Sequence, residues 1–385
     1  MTSSTTSSRT ARRRAWSLVF LLAAAAGAPS RAADPASPQS VAPALAGETL
    51  LPIAVLPLDN LSGHPADTNE LREKLREALE SAGLSLLDDA SLDAFLAMHR
   101  IRWTGGLSQD QSDALVRETG ARAALVTSLD VLDDTQPPRI ALSARLIAAG
   151  PSPRVAWVDR VSLAGDDAPG FLSLGLVDDL AVLLQRAVDG LAASLARDLA
   201  APVREGVKAP GGRFRPRRWY RSPHLDLAGA APARIAVLPF LDESGRRRAG
   251  EIVSLLVVRH LGAAPGIEVL EPGVVRDTLL QSRIIMEGGL SVPQTEVLHS
   301  LLQADYVVTG TVTEFREFAG ATGSPLVEFT VRVIDARTSQ AVWSSISYNQ
   351  GDDRVVFFGC GRVRSASALA SEMARQVVAT FVRAR

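Results

Sequence analysis

The sequence contains a single cysteine, Cys360, among its 385 residues. A disulfide within the chain needs two cysteines, and lipid attachment after export needs one directly behind the signal cleavage site. We therefore expect neither arrangement. The chain must then be held together by apolar burial, and its 46% of hydrophobic residues is sufficient for ordinary globular cores.

Groups that bind metals, phosphates or cofactors are also scarce. The five histidines are scattered and lack the close, repeated spacing of a zinc site. No lysine follows the Ser-Gly loops as in a Walker motif, and the G-x-G around Cys360 lacks the third glycine of a dinucleotide fingerprint. The formal net charge of -1 argues against nucleic acid, which usually requires a strongly basic domain. We expect no metal, no cofactor and no nucleic-acid partner.

Long apolar runs are missing as well, since a transmembrane helix needs roughly 20 apolar residues. The apolar run at residues 15–28 is shorter; arginines precede it, and the small residues Ser30, Ala32 and Ala33 follow it. This pattern is typical of an export signal. We interpret residues 1–33 as a cleaved signal peptide and residues 34–47 as a flexible tether. The alternative is that the signal is kept as a membrane anchor.

What the sequence does contain is an internal repeat. The hexapeptide IAVLPL at residues 53–58 returns as IAVLPF at residues 235–240. The segment from Arg100 to Ser108, with RI followed by GGLS, returns from Arg283 to Ser291. Repeats at a nearly constant offset indicate a duplicated structural unit.

The order of elements within each copy follows from the periodicity of its apolar residues. Apolar and polar residues alternate at 140–146 and at 327–333, which predicts strands with one buried and one solvent-facing side. Arg145 and Arg332 lie on the side predicted to face solvent. Ser108 and Ser291 are placed to cap the helices that follow them. The sequence predicts an α/β protein with two tandem mixed-sheet domains in β-α-β-α-α-β-β-β-α order, each flanked by helices. The two domains cover residues 48–200 and 231–385.

Residues 201–230 separate the two copies and are rich in proline, glycine and arginine, with too few periodic apolar positions for a core. We interpret them as a linker. Two roles stay open for its basic and aromatic residues: a solvated connector, or a contact surface for anionic lipid headgroups or an acidic protein. The candidate contact residues are Arg213, Arg215, Arg217, Arg218, Trp219 and Tyr220, together with Ser244 and Gly245 of the second copy.

Two further local features are candidates for chemistry. Ser244 and Gly245 form a loop between a predicted strand and helix, where backbone N–H groups can hold an anion, and a plain turn is the alternative. Cys360 stands near Arg362, Arg364 and a predicted helix start, an environment that favours a reactive thiolate. No spacing places a general base beside it, so we predict that the chain is not an enzyme. The alternative is an enzyme that depends on Cys360.

The second copy resembles a known family. Its IAVLPF at residues 235–240, its ADYVVTGTV at 304–312 and its VIDART at 333–338 before Trp343 are similar to the amino-terminal domain of TolB and its relatives. These relatives include the curli secretion protein CsgG and the lipoprotein activators of penicillin-binding proteins. The first copy looks like a diverged version, since it lacks the glycine found at Gly310.

The resemblance implies a periplasmic or outer-membrane-associated protein without catalytic residues, which binds other envelope proteins or itself. We therefore predict an exported adaptor in envelope assembly, secretion or transport. A self-associating ring or a secretion-channel component of the CsgG kind is the alternative.

Overall fold

The computed structural model describes residues 52–167, 176–200, 213–227, 231–286, 289–319, 323–355 and 361–383. The predicted signal peptide, the tether and Cys360 lie outside these ranges. Both repeat copies lie within one compact unit of the chain. Within the described ranges, no helix is both long enough and apolar enough to span a bilayer.

The elements of the first copy are β1 (Ile53–Val55), β2 (Asp59–Asn60), α1 (Thr68–Ser81), α2 (Asp89–Met98), α3 (Gln109–Thr119), β3 (Ala123–Asp133), β4 (Arg139–Ala148), β5 (Arg154–Ala164) and α4 (Leu180–Ala200). The strands form a five-stranded sheet in the order β1-β3-β4-β5, with the short β2 paired to β3. The β1/β3 pair is parallel, and the β3/β4 and β4/β5 pairs are antiparallel.

The elements of the second copy are β6 (Arg218–Arg221), β7 (Ala233–Val237), β8 (Leu241–Asp242), α5 (Ala249–Gly262), β9 (Ile267–Val269), α6 (Pro272–Gln281), α7 (Val292–Leu302), β10 (Tyr306–Ala319), β11 (Ser324–Asp335), β12 (Ala341–Gln350) and α8 (Ala366–Val382). The strands form a seven-stranded sheet in the order β6-β12-β11-β10-β7-β9, with β8 paired to β10.

The two sheets share one topology. The path β1-β3-β4-β5 of the first copy corresponds to β7-β10-β11-β12 of the second. In the second copy β9 pairs parallel with β7, and at the equivalent place in the first copy Leu86 forms a parallel bridge to Ile53. The tryptophans are equivalent too, since Trp157 pairs with Leu146 as Trp343 pairs with Val333. The predicted fold class, two tandem copies of a mixed-sheet α/β domain, is confirmed.

Each copy has its own apolar core. Leu71, Leu75 and Leu79 lie four residues apart on one face of α1 and pack with α4 against the first sheet. In the second copy, α5 and α8 pack on the sheet around Phe329 and Trp343, which are both fully buried. Burying each such side chain contributes roughly 1.5–3 kcal/mol. On the opposite faces, α2 and α3 cover β1 and part of β3 in the first copy, and α6 and α7 cover β7 and the start of β10 in the second.

The predicted helix caps are present. The hydroxyl oxygens of Ser108 and Ser291 accept hydrogen bonds from the backbone N–H of Gln111 and Gln294, and those glutamine side chains accept from the serine N–H groups. Each end is thus a complete capping box. The equivalent loops of both copies therefore start their third helix in the same way.

Part of the predicted linker belongs to the second sheet. Strand β6 pairs antiparallel with β12, and Phe214 and Leu225 on either side of it are buried. The composition of this segment predicted no such role. Four residues, Arg218–Arg221, join the sheet through backbone hydrogen bonds, which require no apolar periodicity.

The first sheet's predicted solvent-facing side is in fact covered by the second copy. Arg145 is buried and its guanidinium lies 3.0 Å from Oε1 of Glu271. Leu255 and Val258 of α5 lie against Val126 and Val158 on the same side of the sheet. The sequence placed Arg145 on a solvated face, and this expectation was wrong. Strand alternation identifies the side on which a residue lies but not what packs against that side.

Helix α5 explains how this covering works. Its apolar residues Val253 and Leu256 face the second sheet, whereas Leu255 and Val258 lie against the first. Most of the apolar residues of α5 between Ala249 and Leu261 are accordingly buried. Helix α5 is therefore sandwiched between the two sheets.

Candidate functional site

The second sheet has an open groove of about 570 Å³ on the face opposite α5 and α8. Strands β10, β11 and β12 supply its floor. In the strand register, Thr309 pairs with Arg332 and Thr311 pairs with Thr330, and paired residues of antiparallel strands point to the same side. Ser344 and Ile346 of β12 continue these two rows. The floor is consequently rich in hydroxyl groups.

Strand β6 forms one wall of the groove. Arg218 pairs with Ile346 and Tyr220 pairs with Ser344, so both side chains lie on the groove face. Trp219 and Tyr220 are 49% and 53% exposed, which is unusual for side chains of this size. Of the residues singled out in the sequence, Arg218 and Tyr220 are thus brought together on the groove face, and Trp219 lies between them in the strand.

The other arginines of the segment have different surroundings. Arg213 donates to the carbonyl oxygens of Gly351, Asp353 and Gly361, at 2.8 Å and 2.9 Å for the first two. Arg217 donates to the Tyr348 carbonyl at 3.1 Å and its guanidinium lies 4.2 Å from the centre of the Tyr348 ring. Arg213 and Arg217 therefore fasten the segment to the second copy. Arg215 is exposed.

The Ser244-Gly245 loop is a self-contained turn. The Asp242 carboxylate accepts from the backbone N–H and the hydroxyl of Ser244, at 3.1 Å and 2.7 Å. The Ser244 hydroxyl oxygen accepts from the N–H of Arg246, and Gly245 has a φ of +76°. The neighbouring Glu243 lines the groove. This geometry matches the plain-turn alternative.

The same turn occurs in the first copy. Asn60 accepts from the N–H and hydroxyl of Ser62, and Ser62 accepts from the N–H of His64. An arrangement made identically in both copies is explained by the repeated strand-to-helix connection.

The charges of the groove are largely unneutralised. Arg332 is exposed and forms no hydrogen bond or ion pair with any described residue. Arg218 is exposed at the wall, and Glu243 is the acidic residue of the lining. The groove therefore offers two arginines and several hydroxyls to a ligand or partner.

The equivalent face of the first sheet is filled. Its two rows, which match those of the groove by register, are Val126-Arg145-Val158 and Ser128-Ser143-Arg160. Against them lie Leu255, Val258 and Arg259 of α5, and the remaining space is about 20 Å³. The open groove is thus the counterpart of a face that the chain covers with its own helix.

A second cleft, of about 320 Å³, lies between the two copies and is lined by Trp103, Arg248, Glu251 and Arg276. Burial raises the pKa of Glu251. Its charges are paired within the protein, because Arg248 lies 2.8 Å from Asp59 and 3.3 Å from Glu251. Arg276 stacks over Trp103 at 4.2 Å. This cleft is part of the contact between the copies.

In the described ranges, no group of three His, Cys, Asp or Glu side chains could hold a metal ion. Cys360 and Gly359 lie outside those ranges. Arg364, one of the two arginines expected near the cysteine, is paired with Asp166 of the first copy.

The groove floor was missed as a site by the sequence reasoning. The alternating pattern identified Thr330 and Arg332 as solvent-facing, but a solvent-facing strand side is ordinary in antiparallel sheets. A comparison between the copies would distinguish it. Val126 and Val158 of the first sheet are replaced by the hydroxyl residues Thr309 and Ser344 at the equivalent positions of the second.

Comparisons with known proteins give a distant likeness in fold. A PelC dodecamer structure from Paraburkholderia phytofirmans is 20% identical with a TM-score of 0.31, over 44% of this chain and 97% of that chain. The lipoprotein GNA1162 from Neisseria meningitidis is 24% identical with a TM-score of 0.26, over 38% and 97%. The LpoB C-terminal domain from Salmonella enterica is 17% identical with a TM-score of 0.26, over 32% and 95%. No protein-family model and no curated protein matches the sequence.

Proposed function

We propose that this chain is an exported, non-catalytic adaptor of the cell envelope, which binds a protein partner in the groove of its second sheet. Its role would lie in envelope assembly, secretion or transport. The observation that carries the proposal is that this groove stays open while the equivalent face of the first sheet is covered by α5. The same sheet face is already used for protein contact within the chain.

The lining of the groove supports a protein partner. Arginine and tyrosine are enriched at the centres of protein interfaces, and Arg218 and Tyr220 stand together on one wall. A small-molecule pocket is usually a largely apolar cavity that encloses its ligand. The hydroxyl-rich floor of Thr309, Thr311 and Thr330 is instead suited to many polar contacts across a broad surface.

The export part of the proposal rests on the basic and apolar pattern of residues 9–33. The resemblance of the second copy to TolB-type and CsgG-type domains agrees with a location in the periplasm or at the outer membrane. A contact with anionic lipid has weaker support, because Arg213 and Arg217 are engaged with carbonyl oxygens of the second copy.

Site-specific photocrosslinking in the native envelope tests the proposal. A photoreactive amino acid at Tyr220 should give a discrete adduct, and one at Leu301, which is exposed on α7 outside the groove, should not. The substitution Thr311→Arg, which fills the floor, should remove the Tyr220 adduct. Equal crosslinking from both positions, or an adduct that persists in the Thr311→Arg chain, would contradict a groove partner.

The alternative of an enzyme is tested at Cys360. Replacing Cys360 by serine should leave the cellular role intact if the chain is an adaptor. Loss of that role in a well-folded variant would instead support a thiol-dependent activity.

A further inference from the structure

We propose that the groove of the second sheet accepts helix α1 from a second copy of this chain, so that copies associate head to tail. The inference rests on the proposed function, because it names the partner of the same groove. It follows from the repeat correspondence, which gives the position of the helix and a matching ion pair, and from the charges of the two surfaces.

Position is given by the contact inside the chain. Helix α5, which follows the first long strand of the second copy, lies on the Val126-Arg145-Val158 row of the first sheet. Its counterpart in the first copy is α1, which follows β1. The counterpart of the row is Thr309-Arg332-Ser344. Repeating the same relation between two chains places α1 of one chain in the groove of the other.

Compared with α5 and the face that it covers, α1 and the groove are both more polar. Inside the chain, the apolar Leu255 of α5 meets a face that contains Val126 and Val158. By the repeat, Leu255 corresponds to Glu73 and Arg259 to Glu77, both exposed on α1. The two valines of the face correspond to Thr309 and Ser344 in the groove.

The outer side of α1 is strongly acidic. It exposes Glu70, Glu73, Glu77 and Glu80. Glu70 is paired with Lys74 and Glu80 lies 3.8 Å from Arg76, so Glu73 and Glu77 supply the free negative charge. Arg72 and Arg76 are buried and engaged with Asp89. The groove presents Arg218 and Arg332. Opposite charges at facing positions favour association and set its orientation.

A specific ion pair should form across this contact. Within the chain, Arg145 pairs with Glu271, the residue that caps α6. The counterpart of Arg145 is Arg332, and the counterpart of Glu271 is Asp88, which caps α2. Asp88 and Arg332 are both exposed. The repeated geometry therefore pairs Arg332 of one chain with Asp88 of the next.

The helix and the groove lie on different parts of the chain, so the contact is heterologous. Such contacts generate a ring when the rotation closes and an open filament when it does not. Because the contact is polar and charged, its strength should fall as salt screens the charges.

Light scattering of the full chain between 1 and 100 μM, at low and high salt, measures the association. The expected mass exceeds the 40.8 kDa of one chain at low salt and decreases as salt is added. Arg332→Glu and Asp88→Arg should each weaken association by about tenfold or more, because each places like charges together. The chain carrying both substitutions should recover association. Arg337→Glu, the same charge change at an exposed position outside the groove, should have no effect.

The proposal is overturned if the chain stays at 40.8 kDa throughout, or if association survives Arg332→Glu, or if the double substitution restores nothing in chains that remain folded by circular dichroism. The adduct from Tyr220 separates the two proposals. An adduct that contains a different protein, with a monomeric chain, leaves the adaptor function in place and rejects self-association.

Discussion

Arg145 of β4 and Glu271, the residue before α6, form an ion pair between the two copies, with 3.0 Å between Nη2 and Oε1. The two side chains are 6% and 0% exposed. Glu271 also accepts the N–H of Gly273, and Arg145 also donates to the carbonyl oxygen of Gly105. One pair thus connects a strand of the first copy with a helix end of the second and a loop.

Removing one partner of this pair should be costly. Glu271→Gln keeps the shape and an acceptor for Gly273 but leaves the Arg145 charge buried without its counter-charge, and we expect a loss of about 3 kcal/mol in the free energy of unfolding. Urea denaturation measures it. The control is Arg337→Met, since this arginine is exposed and lies outside the groove, and it should change stability by less than about 0.5 kcal/mol. A loss below 1 kcal/mol for Glu271→Gln would contradict the importance of this contact.

The backbones of the two copies cross closely at Gly273 and Gly106. A Cβ on Gly273 would lie 2.8 Å from the carbonyl carbon of Gly106, a contact that backbone atoms cannot relieve by changing rotamer. We expect Gly273→Ala to lower stability by about 1–3 kcal/mol. Gly262→Ala, at the end of α5 with no atom within 4 Å of the new Cβ, should be neutral or stabilising by up to about 1 kcal/mol. Thermal unfolding of both variants distinguishes close packing from a general effect of replacing glycine.

The two capping boxes should contribute similarly. Ser108→Ala and Ser291→Ala each remove the acceptor for an N–H in the first turn, which should cost about 1 kcal/mol of unfolding free energy. Ser300→Ala, an exposed position inside α7, provides the control and should leave stability unchanged or slightly raised. Equal effects at Ser291 and Ser300 would show that the hydroxyl of Ser291 does not act as a cap.

His260 should make stability dependent on pH. Burial, together with the neighbouring Arg259, lowers the pKa of His260 from its usual 6.5 to about 3. The unfolded chain therefore binds a proton between these values that the folded chain does not bind. The contribution of His260 to the free energy of unfolding is fully present above pH 6.5. It is lost as the pH falls toward 3, at up to about 1.4 kcal/mol per pH unit.

His260→Gln tests this assignment, because glutamine is polar and does not titrate. Unfolding free energies measured from pH 7 to pH 4 should fall less steeply in the variant than in the parent chain. Parallel pH profiles for the two chains would show that other groups cause the acid sensitivity.

Much of the fold could be predicted because it depends on local patterns. The repeated strand IAVLP at residues 53–57 and 235–239, the alternation in β4 and β11, and the serines that cap α3 and α7 are all short-range signals. Each reflects the geometry of one strand or one helix end, which neighbouring residues largely determine.

Strand β6 could not be predicted in this way. Its residues Arg218–Arg221 have no apolar face, and their position follows from backbone pairing with β12 and from the anchoring of Arg213 on carbonyl oxygens far along the chain. Strand β6 forms a wall of the groove. The sequence showed that this segment is basic and aromatic, but not that it lies beside β12.

The amino-acid sequence alone determined that one α/β unit occurs twice and which side of each strand is apolar, because periodicity and duplication are written in residue order. Only the tertiary structure decided that Arg145 is buried while its equivalent Arg332 is exposed. Both arginines occupy the same place in the same alternating pattern, so the pattern cannot distinguish them. Their different exposure comes from α5, which covers the face of the first sheet and leaves that of the second open. This helix lies more than a hundred residues from Arg145 in the chain.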